Sequence, residues 1–335
     1  MNRNMIQGDV REVLEWMPDD HFDTIITSPP YYNLRNYDAD KQIGTEKTVQ
    51  EYIDKLVTIM DECRDTLKPT GSLWVNIGDT YNHPSGKWES KGEYKVDRPA
   101  QTQLGRGSRM GVPERFMVAM IDDGWILRNH VIWHKPNRKP SSAKDRFTQS
   151  YESIFFFTAQ SDYYFNMAPV MVPRLHPLST RHRPDKRQQS TLDGNTDALH
   201  KTLTIPKYRA DSPDRPSHDP INRHRSHYDK LTGKLMGDPL LKRPDDVWEI
   251  MSGDCGKYYV PTDHFAPFPV EIPHKIISCA CPPDGRVLDP FMGSGTTAIA
   301  AEMLQREWVG IELNQKYVDE AKRRVRPFIE QTVIT

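Results

Sequence analysis

Short apolar runs alternating with amphipathic stretches constrain this chain more than any other feature. That alternation is the pattern of strand–helix–strand units, whose crossovers make neighbouring strands parallel. "NMIQGD" (4–9) reads as a strand closing on an acid, "VREVLEW" as a helix and "FDTIIT" (22–27) as the next strand. Thr48 opens a helix with Glu51 three positions on, the reciprocal pairing of a capping box. Tyr52, Leu56, Ile59, Met60, Cys63 and Leu67 then keep helical spacing. "GSLWVNIGD" (71–79) is a strand, "PERFMVAMIDDG" (113–124) a helix closed by Gly124, and "WILRNHVIWHK" and "YESIFFFTA" two strands near the sheet's edge. Alternation resumes late with "FPVEIPHKIISCA" (268–280, helix), "GRVLDPF" (285–291, strand), "GTTAIAAEMLQR" (helix) and "WVGIEL" (308–313, strand). A last helix follows, capped by Asn314.

Between these blocks, residues 167 to 245 break the pattern. They are rich in Pro, Arg, His, Ser and Asp, with no repeat and little apolar periodicity. A connection that long inside a compact domain serves a function or lacks fixed structure. Residues 174 to 230 hold twelve Lys or Arg against seven Asp and no Glu, a local balance of +5 in a chain of formal charge −1. A basic block in an acidic body suits a polyanionic partner on one face, the alternative being a solvated insertion. Residues 80 to 111 form a second long, basic, glycine-containing loop.

The 335 residues suffice for one large or two ordinary domains. Cys63, Cys255, Cys279 and Cys281 form no pair of C-x-x-C motifs, so neither structural zinc nor a disulfide framework is expected. The polar start and the lack of any apolar run near 18 residues point to a cytoplasmic protein without membrane spans.

Two strand ends carry the chemistry. In "VLDPFMGSGTTAIAAEML" a strand ends at Asp289, a glycine turn follows (Gly293, Ser294, Gly295), and Thr296 opens a helix. Glycines let a ligand approach the backbone, and a helix start offers free N–H donors. The next strand ends at Glu312, an acid placed to suit a ribose diol. The turn lacks the lysine of a phosphate-binding G-K-[ST] loop and the third glycine of a dinucleotide fingerprint. Two acids and no cation around the turn instead favour a ligand with positive charge and a ribose, a description that S-adenosylmethionine (SAM) meets.

The second end is "TSPPYY", where Pro29 and Pro30 stiffen the chain and donate no hydrogen bond. Methylating an exocyclic amine requires acceptors that grip its N–H bonds and turn the nitrogen lone pair toward the methyl group. A proline carbonyl, the Ser28 hydroxyl and the Tyr31 ring supply two acceptors and a stacking face. A base in a duplex reaches such a site only when flipped out, with an aromatic face replacing its lost stacking.

"TSPPYY" with "DPFMGSGTT" resembles the DNA amino-methyltransferases, whose motifs are [DNS]-P-P-[YFW] and D-P-F-x-G-S-G-T-T. The order, catalytic motif first, then a basic insertion, then the SAM motif, is similar to the β group, over roughly 1–80, 112–160 and 245–330. The resemblance implies Ser28, Pro29, Pro30 and Tyr31 at the flipped base. It implies Asp289, Phe291, Gly293, Ser294, Gly295 and Thr296 around SAM, Glu312 on its ribose, Asp9 near its adenine, and Phe268 and Pro269 at its methionine part. No metal is implied. Arg181, Arg183, Arg223 and Arg225, clustered with histidines in "RHR" and "RHRS", are the candidates for DNA contact.

The expected fold is an α/β SAM-dependent methyltransferase (Rossmann-like) domain, with a mixed sheet of about seven strands in permuted order. Residues 1–166 form its catalytic half, 167–245 a target-recognition insertion and 246–335 its SAM-binding half. Joined in the mind, the ends make "WVGIEL" and the last helix run on into "NMIQGD". The expected activity is methyl transfer to the N4 of cytosine in double-stranded DNA, because Ser28 stands where adenine-N6 enzymes of the family usually carry Asp or Asn. Adenine-N6 transfer, an RNA or protein methyltransferase, and a non-catalytic DNA-binding module are the alternatives. No cysteine follows a proline, so the covalent route of C5-cytosine methylation is not expected. A cognate restriction endonuclease is a further candidate partner, and the chain is expected as a monomer or homodimer.

Overall fold

The computed structural model describes residues 3–33, 42–82, 104–138, 140–141, 143–173, 241–253, 257–262 and 268–332. They fall into two units, Met1–Val170 with Pro244–Thr335, and Met171–Arg243.

The larger unit is built on one sheet. Its strands are β1 (Arg3–Gln7), β2 (Phe22–Thr27), β3 (Leu67–Ile77), β4 (Ile126–His134), β5 (Tyr151–Thr158), β8 (Val247–Glu249), β9 (Arg286–Asp289) and β10 (Glu307–Glu312). Their spatial order is β1-β10-β9-β2-β3-β5-β4-β8. Only β5 runs against the rest, pairing antiparallel with both β3 and β4. The sheet thus carries one strand more than the sequence suggests, the three-residue β8 added parallel to the edge of β4. β1 lies parallel to β10, from Arg3 opposite Trp308 to Gln7 opposite Glu312, so the two ends of the chain continue one sheet, as the permuted reading expects.

Among the described residues six helices cover the two faces: α1 (Val10–Leu14), α2 (Val49–Thr66), α3 (Val112–Asp122), α4 (Glu271–Ala280), α5 (Thr296–Met303) and α6 (Gln315–Thr332). The first three share a core with one face through Leu56, Met60 and Phe116, and the last three pack on the other through Ile276, Ile299 and Val325. With both faces covered, every residue of β2 is buried. Its Asp23 is held by both carboxylate oxygens on Lys68 Nζ at 2.9 Å and by the Arg286 amide at 2.8 Å.

Local signals fix the ends of α2. Thr48 and Glu51 form the reciprocal capping box. Leu67 does not continue the helix, as its spacing had suggested. Its backbone is extended (φ −86°, ψ 130°), and it begins β3, four residues before the strand read at Gly71. α4 begins at Glu271, later than read, and α5 ends at Met303, earlier than read. Asn314 caps the last helix, its Oδ1 accepting the Lys316 amide at 2.9 Å.

In the smaller unit the described residues show a two-stranded antiparallel ladder of β6 (Val172–Pro173) and β7 (Leu241–Lys242). Arg181, Arg183, Arg223 and Arg225 lie outside the described residues.

Candidate active site

β1, β10, β9, β2 and β3 are consecutive and parallel, so their carboxyl ends share one edge of the sheet. The order reverses between β9 and β2, and the crevice beyond such a switch point is where open α/β sheets bind ligands. Asp289 ends β9 and Thr27 ends β2. The Thr27 hydroxyl donates to Asp289 Oδ1 at 2.8 Å, tying the two motifs together across the switch point.

Asp289 is only 1% exposed. Oδ1 also accepts the Phe291 amide at 3.0 Å, and Oδ2 accepts the Thr297 hydroxyl at 2.6 Å. Burial pushes this carboxyl up to about 6, against the pull of those three donors. The residue fastens the turn to β2 and α5 from beneath. Glu312 fastens it from the side, Oε2 accepting the Gly293 amide at 2.9 Å and Oε1 the Asn314 amide at 2.8 Å. Burial raises the Glu312 carboxyl as well.

The two glycines of the turn adopt φ of 52° (Gly293) and 86° (Gly295), a region that side chains rarely enter. Gly295 has a packing reason too, since a Cβ there would stand 2.9 Å from the Ala321 Cβ of α6.

One residue at the turn escaped the sequence reading and corrects it. Arg324 of α6 is 8% exposed, so a cation does lie at the turn. Its guanidinium donates to the Ser294 carbonyl at 2.5 Å and hydroxyl at 2.7 Å, and to the Pro261 and Val260 carbonyls at 3.1 Å each. It therefore closes the turn onto the 257–262 segment. Arg324 also lines a cleft with Tyr258, Tyr259, Val260, Phe268 and Pro269, which sets the last two beside the guanidinium that holds the turn. No local motif marks Arg324; only its helical spacing of three from Ala321, which meets Gly295, could have pointed to it. Asp9 caps α1 by accepting the Arg11 amide at 3.1 Å, and its carboxylate pairs with the Arg11 guanidinium.

Tyr31 stands inside a polar cluster. Its phenol donates to Glu152 Oε2 at 2.7 Å. Asn76 Nδ2 donates to the phenol oxygen at 3.0 Å, to Glu152 Oε2 at 3.2 Å and, more weakly, to Ser28 Oγ at 3.4 Å. Lys135 pairs with Glu152 Oε1 and lies over the Trp133 ring. Burial, then the neighbouring Glu152 charge, raise the phenol well above its usual range. One side of the ring lies against the backbone, where a Cβ on Gly78 would be 2.6 Å away. The two proline carbonyls differ. Pro30 accepts the Tyr52 phenol at 2.8 Å, whereas the Pro29 carbonyl takes no hydrogen bond among the described residues. The sequence reading missed Asn76, Lys135 and Glu152, which come from three different strands or strand ends.

Asp79, beyond β3, accepts Arg109 Nε at 2.8 Å and the Gly111 and Val112 amides at 3.1 and 3.0 Å, so it anchors the return of the 80–111 loop at the start of α3.

A family model described as DNA methylase matches residues 22–323. The chain belongs to this family of DNA methylases. Among curated relatives, it is 32% identical to the type II methyltransferase M.SmaI of Serratia marcescens, over 96% of this chain and 90% of that protein. It is 29% identical to M.Cfr9I of Citrobacter freundii, over 96% and 87%. Its fold matches that of the PvuII DNA methyltransferase, described as cytosine-N4-specific, with a TM-score of 0.61, 19% identity and coverage of 98% and 91%. A Thermus thermophilus protein named as a candidate DNA modification methylase, in complex with S-adenosyl-L-methionine, matches with a TM-score of 0.55, 20% identity and coverage of 98% and 95%. Among the described residues, no group of His, Cys, Asp and Glu is arranged to hold a metal ion, and no helix is long and apolar enough to cross a membrane.

Proposed function

We propose that this DNA methylase transfers a methyl group from SAM to the exocyclic N4 of cytosine in duplex DNA, with the target base flipped out of the helix. The observation that carries the reading is the Thr27–Asp289 bond, which sets the glycine turn and the "SPPY" clamp side by side at one sheet edge.

The residues at the turn fit SAM. Glu312, at the side of the turn, offers the crevice an acid suited to a ribose diol, and the Arg324 cation is turned onto Ser294, Pro261 and Val260. Glu312 would meet the ribose, Asp9 would lie near the adenine, and Phe268 and Pro269 would cover the methionine part. Bound there, SAM supplies an electrophilic methyl group on a sulfonium. Asp289 has its carboxylate fully engaged, so its part is to hold Phe291 and the turn in shape.

At the clamp, the open Pro29 carbonyl and Ser28 Oγ would accept the two N–H bonds of the target amine. That grip takes the nitrogen lone pair out of conjugation with the ring and points it at the methyl group. No cysteine nucleophile takes part, and the rate gain comes from positioning and fixed dipoles. The unit Met171–Arg243 with its flanks is the proposed target-recognition region. The type II relatives support a cognate endonuclease as a cellular partner.

Adenine N6 is the second reading: the Asp usual in such enzymes reaches further and accepts more strongly than Ser28, but a hydroxyl oxygen also accepts from an exocyclic amine. Nucleoside mass spectrometry of duplex DNA incubated with the protein and SAM decides between them. N4-methylcytosine is expected, and N6-methyladenine as sole product would overturn the choice of base while keeping the transfer.

A further inference from the structure

We propose that Glu152, backed by Lys135, is a positioning residue that sets the direction of the hydrogen bonds at the clamp and thereby makes Ser28 an acceptor toward the target amine. This rests on the reading that Ser28 meets that amine.

Donor and acceptor chemistry supplies the argument. A carboxylate only accepts and an ammonium only donates. Lys135 holds Glu152 by Oε1, leaving Oε2 to face the cluster. Two donors meet Oε2, the Tyr31 phenol at 2.7 Å and Asn76 Nδ2 at 3.2 Å. The phenol proton is therefore committed to Glu152, and the phenol oxygen can only accept. Asn76 must turn its NH2 toward the cluster, because its Oδ1 would face a carboxylate oxygen. Among the described residues that orientation leaves Asn76 Oδ1 buried without a partner, a cost set against the two bonds its NH2 makes to Tyr31 and Glu152.

Ser28 comes last in the chain of bonds. Its Oγ meets Asn76 Nδ2 at 3.4 Å, and that same Nδ2 meets the Tyr31 phenol oxygen at 3.0 Å, so Ser28 neighbours the phenol. Facing an accepting phenol oxygen and a donating amide, its hydroxyl proton goes to Tyr31. A lone pair on Oγ is then left for the substrate. Without the charge on Glu152, the phenol could turn and donate to Ser28, whose proton would then point at the amine it should grip. Two like donors would meet, and the nitrogen would be mis-aimed. The strand ends hold all parts in register: Glu152 is opposite Trp133 on β4, and Asn76 is opposite Ile154 on β5.

The test is a double-mutant cycle on Ser28→Ala and Glu152→Gln, read as the single-turnover methyl-transfer rate at saturating SAM and duplex, with SAM affinity measured separately by calorimetry. Gln keeps the shape but can donate as well as accept, and it also removes the charge from the Lys135 pair. Ser28→Ala is expected to slow transfer on the order of 100-fold, as misplacement of reacting atoms does, and Glu152→Gln at least about 10-fold, both at unchanged SAM affinity. The double variant is expected to be no slower than Ser28→Ala, because Glu152 acts through Ser28. Tyr31→Phe cuts the same link without touching the Lys135–Glu152 pair and should show the same lack of additivity, which covers a Glu152→Gln protein that fails to fold. If Ser28→Ala is slow while Glu152→Gln matches the wild type, or if the two losses multiply, the inference is overturned and the clamp reading stands. A silent Ser28→Ala overturns both.

Discussion

At Asp289 burial outweighs three hydrogen bonds, and the consequence can be measured. Its carboxyl titrates at about 6 in the folded chain, against an ordinary 3.8. Below the ordinary value both folded and unfolded chains hold the proton, and the residue costs nothing. As pH rises from about 4 to 6, the unfolded chain gives up its proton first, so folding loses free energy until the folded carboxyl ionises as well. The gap corresponds to about 3 kcal/mol. Denaturant unfolding across that window should show the wild type losing about this much relative to Asp289→Asn, with the difference constant above it. Parallel curves would mean that the carboxylate is not desolvated as described. Residues such as this were legible as site candidates because they stand in a contiguous motif. Arg324, Asn76, Lys135 and Glu152 were not, because their roles depend on which distant segments the fold brings to them. Arg324 serves a turn thirty residues away through the pitch of α6, and Glu152 reaches Tyr31 only because β5 lies beside β3.

Among elements, the two glycines of the turn separate ligand approach from packing. Gly293 has its amide on Glu312 and a φ of 52°, and on the proposed reading SAM nears the backbone there. Gly295 faces Ala321 and Val325 of α6. Gly295→Ala is therefore expected to lower stability by about 1–3 kcal/mol through overpacking and a strained φ, read as a lower denaturant midpoint. Gly293→Val should abolish SAM binding in calorimetry, and it loses stability as well, since a β-branched residue is strained at that φ. If Gly293→Val bound SAM normally, the turn would not be the cofactor site. Element type followed from periodicity almost throughout, since strands buried on both faces read as continuous apolar runs. The boundaries were set by features that periodicity does not carry. Leu67 kept the helical spacing of α2 yet went to β3, because β2 offers it a ladder place opposite Phe22. β8 was missed because three residues are too short to display a pattern.

For the whole molecule, the permuted order was legible because the motif order was visible in the chain and the β1–β10 pairing follows from it. The basic stretch was legible only as charge. Its composition offers no apolar periodicity from which to derive packing, so the DNA-contact reading of Arg181, Arg183, Arg223 and Arg225 rests on electrostatics. That reading has a quantitative consequence. Each phosphate neutralised by a cation releases condensed counterions, and the slope of log affinity against log salt steepens by about 0.9 per contact. If all four arginines meet phosphates, replacing them together with Gln should flatten the slope by about 3 to 4, while SAM affinity and the melting temperature stay at wild-type values. Fluorescence anisotropy of a labelled duplex between about 50 and 200 mM salt measures it. Loss of discrimination between cognate and non-cognate duplexes at a preserved slope would instead assign these side chains to base edges. An unchanged slope with unchanged discrimination would return the stretch to a solvated insertion and move the search for the DNA-binding face to the 80–111 loop, the other basic segment of the chain.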